Sequence, residues 1–252
     1  MKILVTTPCY DNIGEVLKKM NIPFSQYSAK NTLDCDILFM NCGTPDVIDK
    51  SILIDFVRKG GILYASDLTS TFLNDSFPNT FNFNGSGTNC TLSAKIVDNR
   101  LIEYIGNEMT ISFDLSGWSM LESISSGKVL MKRNDTGKPI MVEVPFENGR
   151  IYYTSFHNHA QASEKEVALL NILVLTQISA KDKVSLKQAA DKINFNIDRI
   201  KQQYGSASSS IVNDNSKTLN QIDNILSKFD SSNNIPKANE PLPDVDSTIN
   251  KF

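Results

Sequence analysis

The sequence has few cysteines, no excess of either charge and no long apolar run, and each shortage argues against a class of protein. The 252 residues contain 4 Cys, none of them in a CxxC pair, which argues against a disulfide-built mini-protein. Lys and Arg number 25 against 28 Asp and Glu, so the chain lacks the basic surplus of a broad nucleic-acid-binding face. Its most apolar stretch, residues 167 to 175, is about half as long as a membrane span. We therefore expect a cytoplasmic protein with no membrane span and no nucleic-acid partner.

The first third of the chain alternates short apolar runs with helical spacing. Runs at 2–7, 36–42 and 62–66 predict buried strands, and apolar positions three and four apart predict helices between them. The second of these helices should begin at Thr44 or Asp46 and bury Val47. Strands and helices that alternate at this spacing predict the α/β class, with a parallel, doubly wound sheet and right-handed crossovers.

The middle third has a different pattern. Residues 77–91 are rich in Asn, Gly, Ser and Thr without a clear period, which predicts a loop. Short β-like runs at 92–97, 108–113, 128–132 and 139–144 predict a small antiparallel excursion beside the main sheet. A hairpin turn at 147–150 leads to a core strand at 151–156. Ser163 and Glu166 then form a capping box for a helix from 164 to about 177.

The last third carries a heptad pattern. From residue 186, apolar residues recur in steps of four and three, which is typical of a coiled-coil seam. A second, shorter seam follows a Ser-rich break at 205–210. We expect three parts: an α/β domain at 1–180, a helical interaction segment at 184–230 and a disordered tail at 231–252. The seam residues expected to engage a protein partner or a second copy are Leu186, Ile193, Ile197, Ile200, Leu219, Ile222 and Leu226.

The candidate functional site lies where the predicted parallel strands end. Ligands bind at the carboxyl ends of the strands in a doubly wound sheet, and several polar residues follow these strands. They are Cys9, Cys42, Gly43, Thr44, Ser66, Asp67, His157, Asn158 and His159. Two His, an Asp and a Cys can bind zinc or support nucleophile–base chemistry. The other interpretation is structural: His157 and Asn158 pin a turn, and Asp67 caps a helix.

Four segments within the first 178 residues have the order and character of a known family. They are 36–45, a strand followed by Gly-Thr-Pro; 56–61, ending in Gly-Gly; 62–67, a strand and its turn; and 153–157, a strand ending in His. This arrangement resembles the class I glutamine amidotransferase-like fold, the superfamily that includes the ThuA-like proteins. The resemblance implies an open α/β sheet with a reacting group at the turn after the Gly-Gly strand.

The sequence departs from this family at the reacting position. The family has a tight elbow there with a nucleophilic Cys flanked by Gly, whereas residues 64–69 here read Tyr-Ala-Ser-Asp-Leu-Thr. The family's His-x-Glu corresponds to His157 and His159, with the Glu replaced. Cys42 ends a different strand, so we expect no thiol beside His157 and no glutaminase activity, which needs a thiolate activated by His.

Two functional hypotheses follow. The first is a non-catalytic module, a binding or assembly scaffold without a cofactor, whose C-terminal helices engage a partner or a second copy. The alternative is a hydrolase or a zinc-dependent enzyme that acts on a small polar, sugar-like substrate. It would use Asp67, His157 and His159, with Ser66 as a further nucleophile candidate. Only the ThuA-like resemblance suggests a sugar.

Overall fold

Strands and helices alternate along the chain, and the computed structural model describes residues 1–28 and 32–205. The strands are β1 (Ile3–Val5), β2 (Ser25–Gln26), β3 (Ile37–Met40), β4 (Ile62–Ser66), β5 (Phe81–Ser86), β6 (Cys90–Ile96), β7 (Glu108–Phe113), β8 (Ser119–Ile124), β9 (Lys128–Arg133), β10 (Pro139–Phe146) and β11 (Gly149–Thr154). The helices are α1 (Ile13–Lys19), α2 (Lys50–Arg58), α3 (Ser70–Ser76), α4 (Asn99–Ile105), α5 (Glu164–Asp182), α6 (Leu186–Lys192) and α7 (Ile197–Tyr204).

A large mixed sheet forms the centre of the molecule. Its strand order is β2-β1-β3-β4-β11-β10-β9-β6-β7. The strands from β2 to β11 pair in parallel, and those from β11 to β7 pair antiparallel. Strands β5 and β8 form a separate antiparallel pair. The predicted α/β class is confirmed, and most of the antiparallel part continues the parallel sheet instead of lying beside it.

The sheet is buried on both faces, as the continuous apolar runs predict. Successive residues of β4 point to opposite sides, so Ile62 and Tyr64 join one apolar cluster while Leu63 and Ala65 join the other. Helices α1, α4, α5, α6 and α7 pack on the first side. Helix α2, α3 and the β5–β8 pair cover the second side. The doubly wound prediction therefore holds at the parallel half of the sheet.

The N-terminus of α5 has the capping box that its sequence predicts. The Ser163 side chain accepts a hydrogen bond from the Glu166 backbone N–H, and the Glu166 side chain accepts one from the Ser163 N–H. This arrangement satisfies two of the backbone donors that every helix start leaves unpaired. The predicted start of α5 is therefore confirmed.

The start of α2 was predicted too early. The helix begins at Lys50 after Asp49, whose side chain accepts a hydrogen bond from the Ser51 N–H. Thr44 and Asp46 instead bond to each other in the preceding turn, and Val47 is 79% exposed. Asp49 is the N-cap because, of the three candidates, it lies close enough to reach the free N–H groups of the first turn.

The segment 77–91 was predicted to be a loop but contains β5. Its Asn and Gly residues hide an alternation in which Phe81 and Phe83 face inward and stack on each other. Both rings also contact Tyr153 on β11. Strand β5 is therefore held by long-range aromatic packing, which propensity does not reveal.

The heptad segment does not form one continuous helix. Helix α6 ends at Lys192, and Asn194 has a left-handed φ of 55°, so the chain turns before α7. All residues that the structure describes belong to one compact unit. The boundary expected at 180–184 is therefore not a structural boundary, since α6 and α7 are part of the α/β domain.

The seam residues in this region pack on the domain core. Leu186, Ile197 and Ile200 are buried in the same cluster as the sheet, and Ile193 packs against it. A narrow apolar stripe needs a cover, and α5 and α4 supply it. These residues are not available to a partner in this conformation. Leu219, Ile222 and Leu226, like the expected tail, lie outside the described residues.

Within the part of the chain that the structure describes, no helix combines the length and the apolarity that crossing a membrane would require.

Candidate functional site

Three neighbouring parallel strands end in the side chains that form the site. Cys42 follows β3, Asp67 follows β4 and His157 follows β11. Because β3, β4 and β11 are adjacent and parallel, their carboxyl ends meet at one edge of the sheet. All three side chains are buried, with 0%, 2% and 4% of their residue surface exposed. The structure thus brings these three strand-end residues together.

Asp67 lies at a sharp turn between β4 and α3. Its φ of 43° is left-handed, a conformation that non-glycine residues adopt uncommonly and that Asp tolerates better than most. One carboxylate oxygen, Oδ1, accepts a hydrogen bond from the Ser119 N–H at 2.6 Å. The Tyr153 hydroxyl donates to the Asp67 carbonyl at 3.1 Å. The elbow is therefore held from β8 and β11, and Oδ2 is directed to His157.

His157 is held between two carboxylates. Its Nε2 lies 2.9 Å from Asp67 Oδ2, and its Nδ1 lies 3.0 Å from Asp114 Oδ1. Burial alone would lower the pKa of His157, but the hydrogen bond to Asp67 and the nearby Cys42 outweigh burial and raise the pKa to about 11. At neutral pH the ring is an imidazolium that can donate a proton.

Asp114 is a site residue that the sequence reasoning missed. It follows β7, at the far end of the strand order, so its position near β11 was not readable from the pattern. The Gln161 side chain bonds to both the N–H and the carbonyl of Ser112 and thereby ties β7 to the loop after β11. Burial acts to raise the pKa of Asp114, but a backbone hydrogen bond and His157 outweigh it and lower the pKa.

His159 does not contact Asp67, which corrects the predicted Asp67–His157–His159 set. Its Nε2 lies 2.7 Å from Asp114 Oδ2, and its side chain is 48% exposed. The two imidazole rings stack at 5.4 Å between centroids. Asp114 therefore contacts both the half-exposed imidazole of His159 and the buried imidazole of His157. Through these contacts the surface is connected to Asp67.

Cys42 joins the cluster, which overturns the expectation that no thiol lies beside His157. Its Sγ is 3.6 Å from Asp67 Oδ2, and it approaches His157 closely enough to form a contact with the ring. Adjacent strand ends bring the two residues together although they are far apart in sequence. Burial raises the pKa of the Cys42 thiol, with only partial compensation from His157. The thiol is therefore protonated at neutral pH and is not an activated nucleophile.

Ser66 bonds to Asp11 and not to His157. Its hydroxyl donates to Asp11 Oδ2 at 2.7 Å, and the Asn158 N–H donates to Asp11 Oδ1 at 2.9 Å. Burial raises the pKa of Asp11 above its usual value. A Ser66–His157 nucleophile–base pair is therefore absent from this geometry. Asp11, in the loop after β1, therefore links the ends of β4 and β11.

The other predicted ligand-binding residues lie outside the cluster. Cys9 is exposed, and Thr44 bonds to Asp46. Gly43 has a φ of 66°, and any side chain there would overlap the Tyr10 ring, so this glycine serves the turn. The Asn158 side chain is buried, and its Nδ2 has no hydrogen-bond partner among the described residues.

Two overlapping sets of side chains have the composition to hold a metal ion. One ligand atom from each of Cys42, Asp67 and His157 lies within 4.8 Å of the others, and the same is true of Asp114, His157 and His159. The first set is buried and mixes sulfur, oxygen and nitrogen, which suits zinc. The second set is partly exposed and shares His157 with the first.

A cleft of about 300 Å³ lies beside the exposed end of the cluster. The polar residues Asn158, His159 and Gln161 line it together with Met20 and Leu170. A larger cavity of about 500 Å³ is lined by residues such as Cys35 and Gly61 that precede β3 and β4. That cavity therefore belongs to the opposite edge of the sheet from Asp67.

No protein-family model matches the sequence, and a search of curated proteins finds no match. Among solved structures, the chain is similar to a putative ThuA-like protein from Bacteroides uniformis ATCC 8492. The TM-score is 0.54, with 8% identity over 74% of this chain and 94% of that chain. The mmIFT52 N-terminal domain gives a TM-score of 0.54, with 11% identity over 70% of this chain and 97% of that one.

The chain is also similar to part of a β-galactosidase from Bacillus circulans sp. alkalophilus. The TM-score is 0.52 and the identity is 13%, over 73% of this chain but only 31% of the galactosidase. This chain therefore corresponds to about a third of that enzyme's length. At these identities the similarity concerns the fold alone, and the chain has the α/β fold of the ThuA-like protein.

Proposed function

We propose that the protein is a hydrolase that acts on a small polar substrate, with Asp67 accepting a proton from the attacking water and the imidazolium of His157 donating a proton to the leaving group. One observation carries the proposal. A buried carboxylate at a strand-to-helix elbow faces an imidazole at 2.9 Å, and a second carboxylate, Asp114, holds that imidazole from its other nitrogen. A reacting group, a proton-carrying partner and a group that orients the partner are the recurring parts of hydrolytic centres.

The side chains around the pair have separable roles. Asp67 Oδ2 and His157 Nε2 contact each other at 2.9 Å, and a water or a substrate oxygen would bind beside this contact. Asp114 is a positioning residue, because it contacts the other ring nitrogen of His157, Nδ1. The Ser119 N–H holds the other oxygen of Asp67, so the carboxylate has one oxygen left for chemistry. His159 connects Asp114 with solvent.

The burial of Asp67 and His157 and the volume of the neighbouring cleft limit the size of the substrate. Asp67 and His157 are almost completely buried, so a substrate reaches them only when the side chains above them move. The cleft beside His159 measures about 300 Å³, which is at the small end of ligand pockets. Its mixed lining favours a small molecule with several polar groups. A sugar-like molecule fits this description, and the ThuA-like fold similarity is consistent with that choice.

A panel of chromogenic esters and glycosides, assayed with the full chain, tests the proposal. We expect hydrolysis of at least one small polar substrate. Asp67→Asn and His157→Gln should each lower kcat/KM by at least about 100-fold, the usual contribution of positioned acid–base groups. Asp114→Asn should lower kcat and leave KM nearly unchanged, because it acts through His157. Asp75→Asn, an exposed acid on α3, is the matched control and should have no effect.

Two outcomes would overturn the proposal. The first is the absence of any hydrolysis across the panel by the folded wild-type chain. The second is hydrolysis that Asp67→Asn and His157→Gln leave intact, since activity would then arise elsewhere. Circular dichroism and thermal unfolding of each variant separate loss of chemistry from loss of folding.

A non-catalytic binding role is the second candidate, and a different observation favours it. Three of the site's acids are each followed or preceded by an exposed apolar residue: Tyr10 beside Asp11, Leu68 beside Asp67 and Leu115 beside Asp114. Exposed apolar residues close together on a surface are typical of interaction sites. The occupant that we propose for this role is a second copy of the chain.

Solution mass tests this second candidate. Light scattering across a range of concentrations should show a dimer for the wild-type chain and a monomer for the double variant Leu68→Ser/Leu115→Ser. The exposed Val47→Ser is the control and should remain dimeric. A wild-type chain that is monomeric at every concentration would refute this role and would leave the hydrolase proposal untouched.

A further inference from the structure

The geometry points to a zinc site: we propose that Cys42, Asp67 and His157 bind Zn²⁺ between them, with Cys42 as a thiolate. This inference rests on the proposed function and changes one role in it, since the activation of water would pass to a cation that Asp67 and His157 hold, but the binding itself does not depend on hydrolysis. Sulfur, nitrogen and carboxylate oxygen are the ligands that zinc prefers. Magnesium and calcium are disfavoured because they require oxygen ligands.

The distances already approach those of a tetrahedral zinc site. With a zinc–sulfur bond of about 2.3 Å and zinc–oxygen and zinc–nitrogen bonds of about 2.0 Å, ligand atoms are separated by about 3.5 Å for sulfur to oxygen and about 3.3 Å for nitrogen to oxygen. The structure has 3.6 Å from Cys42 Sγ to Asp67 Oδ2 and 2.9 Å from His157 Nε2 to Asp67 Oδ2. Shifts of a few tenths of an ångström at Asp67 therefore suffice on these two edges.

The outer contacts orient each ligand toward this point. Asp114 Oδ1 contacts His157 Nδ1 at 3.0 Å, which leaves Nε2 for the metal. A carboxylate behind a metal-binding histidine is a recurrent arrangement that fixes the ring and raises its basicity. The Ser119 N–H occupies Asp67 Oδ1 and leaves Oδ2 for the metal. Both ligands therefore present the atom that faces Cys42.

Paired strands set the spacing of the ligands. Each ligand lies within three residues of the end of one of three adjacent parallel strands. All three side chains are buried. On binding, Zn²⁺ would displace the thiol proton of Cys42 and the proton between His157 and Asp67, and both protons would leave to solvent. Three protein ligands leave one tetrahedral position for water, as in catalytic zinc sites.

The competing set of Asp114, His157 and His159 is less suited to zinc. Two histidines and a carboxylate also form zinc sites, but His159 in this set is 48% exposed to competing water. His157 belongs to both sets, and its Nδ1 already contacts Asp114. One imidazole ring therefore cannot complete both sites at once. We therefore assign zinc to the buried set. Cys42 belongs to this set and not to the other, so replacing Cys42 distinguishes the two.

Cobalt and zinc titrations of the chelator-treated full chain test the site without any substrate. We expect one equivalent of Co²⁺ to produce the visible bands of a tetrahedral site and the near-ultraviolet band of a cobalt–thiolate bond, and Zn²⁺ to displace it. Cys42→Ser should abolish the thiolate band. Cys9→Ser, which changes an exposed thiol, should retain it. Asp114→Asn should weaken affinity about 10- to 100-fold, the usual effect of losing such an outer contact.

Absence of stoichiometric binding by the folded wild-type chain would overturn the inference. A thiolate band that persists in Cys42→Ser would do the same. The assays also separate the two proposals. Metal binding without hydrolysis would reject the proposed function and keep the zinc site. Hydrolysis by a folded chain that binds no metal in the titrations would reject the zinc site and keep the function.

Discussion

Replacing Ile197 by Ala tests whether α7 is part of the α/β domain or a separate interaction element. Ile197 is completely buried in the main apolar cluster. The substitution removes three carbons, which at about 0.8 kcal/mol for each buried carbon is about 2.4 kcal/mol of transfer free energy. The cavity left behind adds to this, so we expect a loss of about 3 kcal/mol in the free energy of unfolding, within the range for such changes.

Urea unfolding followed by circular dichroism measures this loss. The transition midpoint should fall while its slope stays the same, because the folded structure remains equally compact. Arg199→Ala, at an exposed position of the same helix, is the control and should change stability by less than about 0.5 kcal/mol. Light scattering on both variants should give the wild-type mass.

A different pair of results would refute the reasoning. If Ile197→Ala left the unfolding free energy of the domain unchanged and instead lowered the mass in solution, the helix would act as an interaction seam. The heptad interpretation of this segment would then be restored. A loss in stability without a change in mass is expected only if α7 packs on its own domain.

Three further perturbations have effects that the structure specifies. Ser163→Ala should lower the free energy of unfolding by about 1 kcal/mol, because it removes the α5 cap,; chemical denaturation measures this. Gly87→Ala should cost about 1–3 kcal/mol and shift the emission of Trp118, the single tryptophan, because the added methyl group would overlap the indole ring. Burial acts to raise the pKa of Asp98, but Arg100 outweighs it and lowers the pKa. The charged form of Asp98 therefore stabilises the fold above the usual pKa of Asp, and this contribution disappears as the pH falls through the lowered value. Asp98→Asn should accordingly be less stable than the wild type at pH 7, with the difference vanishing in strong acid; equal destabilisation across the pH range would contradict this.

Local patterns predicted the elements whose energy comes from local interactions. The apolar runs of β3 and β4 and the Ser163–Glu166 capping box were readable because strand burial and helix capping depend on near neighbours in sequence. The α/β class followed from their alternation. Strand β5 was missed because its Phe81 and Phe83 are held by Tyr153, about 70 residues away along the chain,.

The candidate site was partly predictable for the same reason. The structure brings the strand-end residues Asp67 and His157 together, because parallel strands share an edge. His159 and Ser66 contact other groups instead, since the direction of a side chain after a strand depends on its hydrogen-bond partners. Those partners are Asp114 and Asp11, which lie in the turn after β7 and in the loop after β1.

The sequence by itself determined the fold class, the buried strands and the two strand ends that carry Asp67 and His157. Only the tertiary structure decided which groups surround this pair. Cys42 reaches it because β3 pairs with β4, and Asp114 reaches it because Gln161 ties β7 to the loop after β11. Both contacts depend on strand order and on long-range hydrogen bonds, and a one-dimensional pattern contains neither.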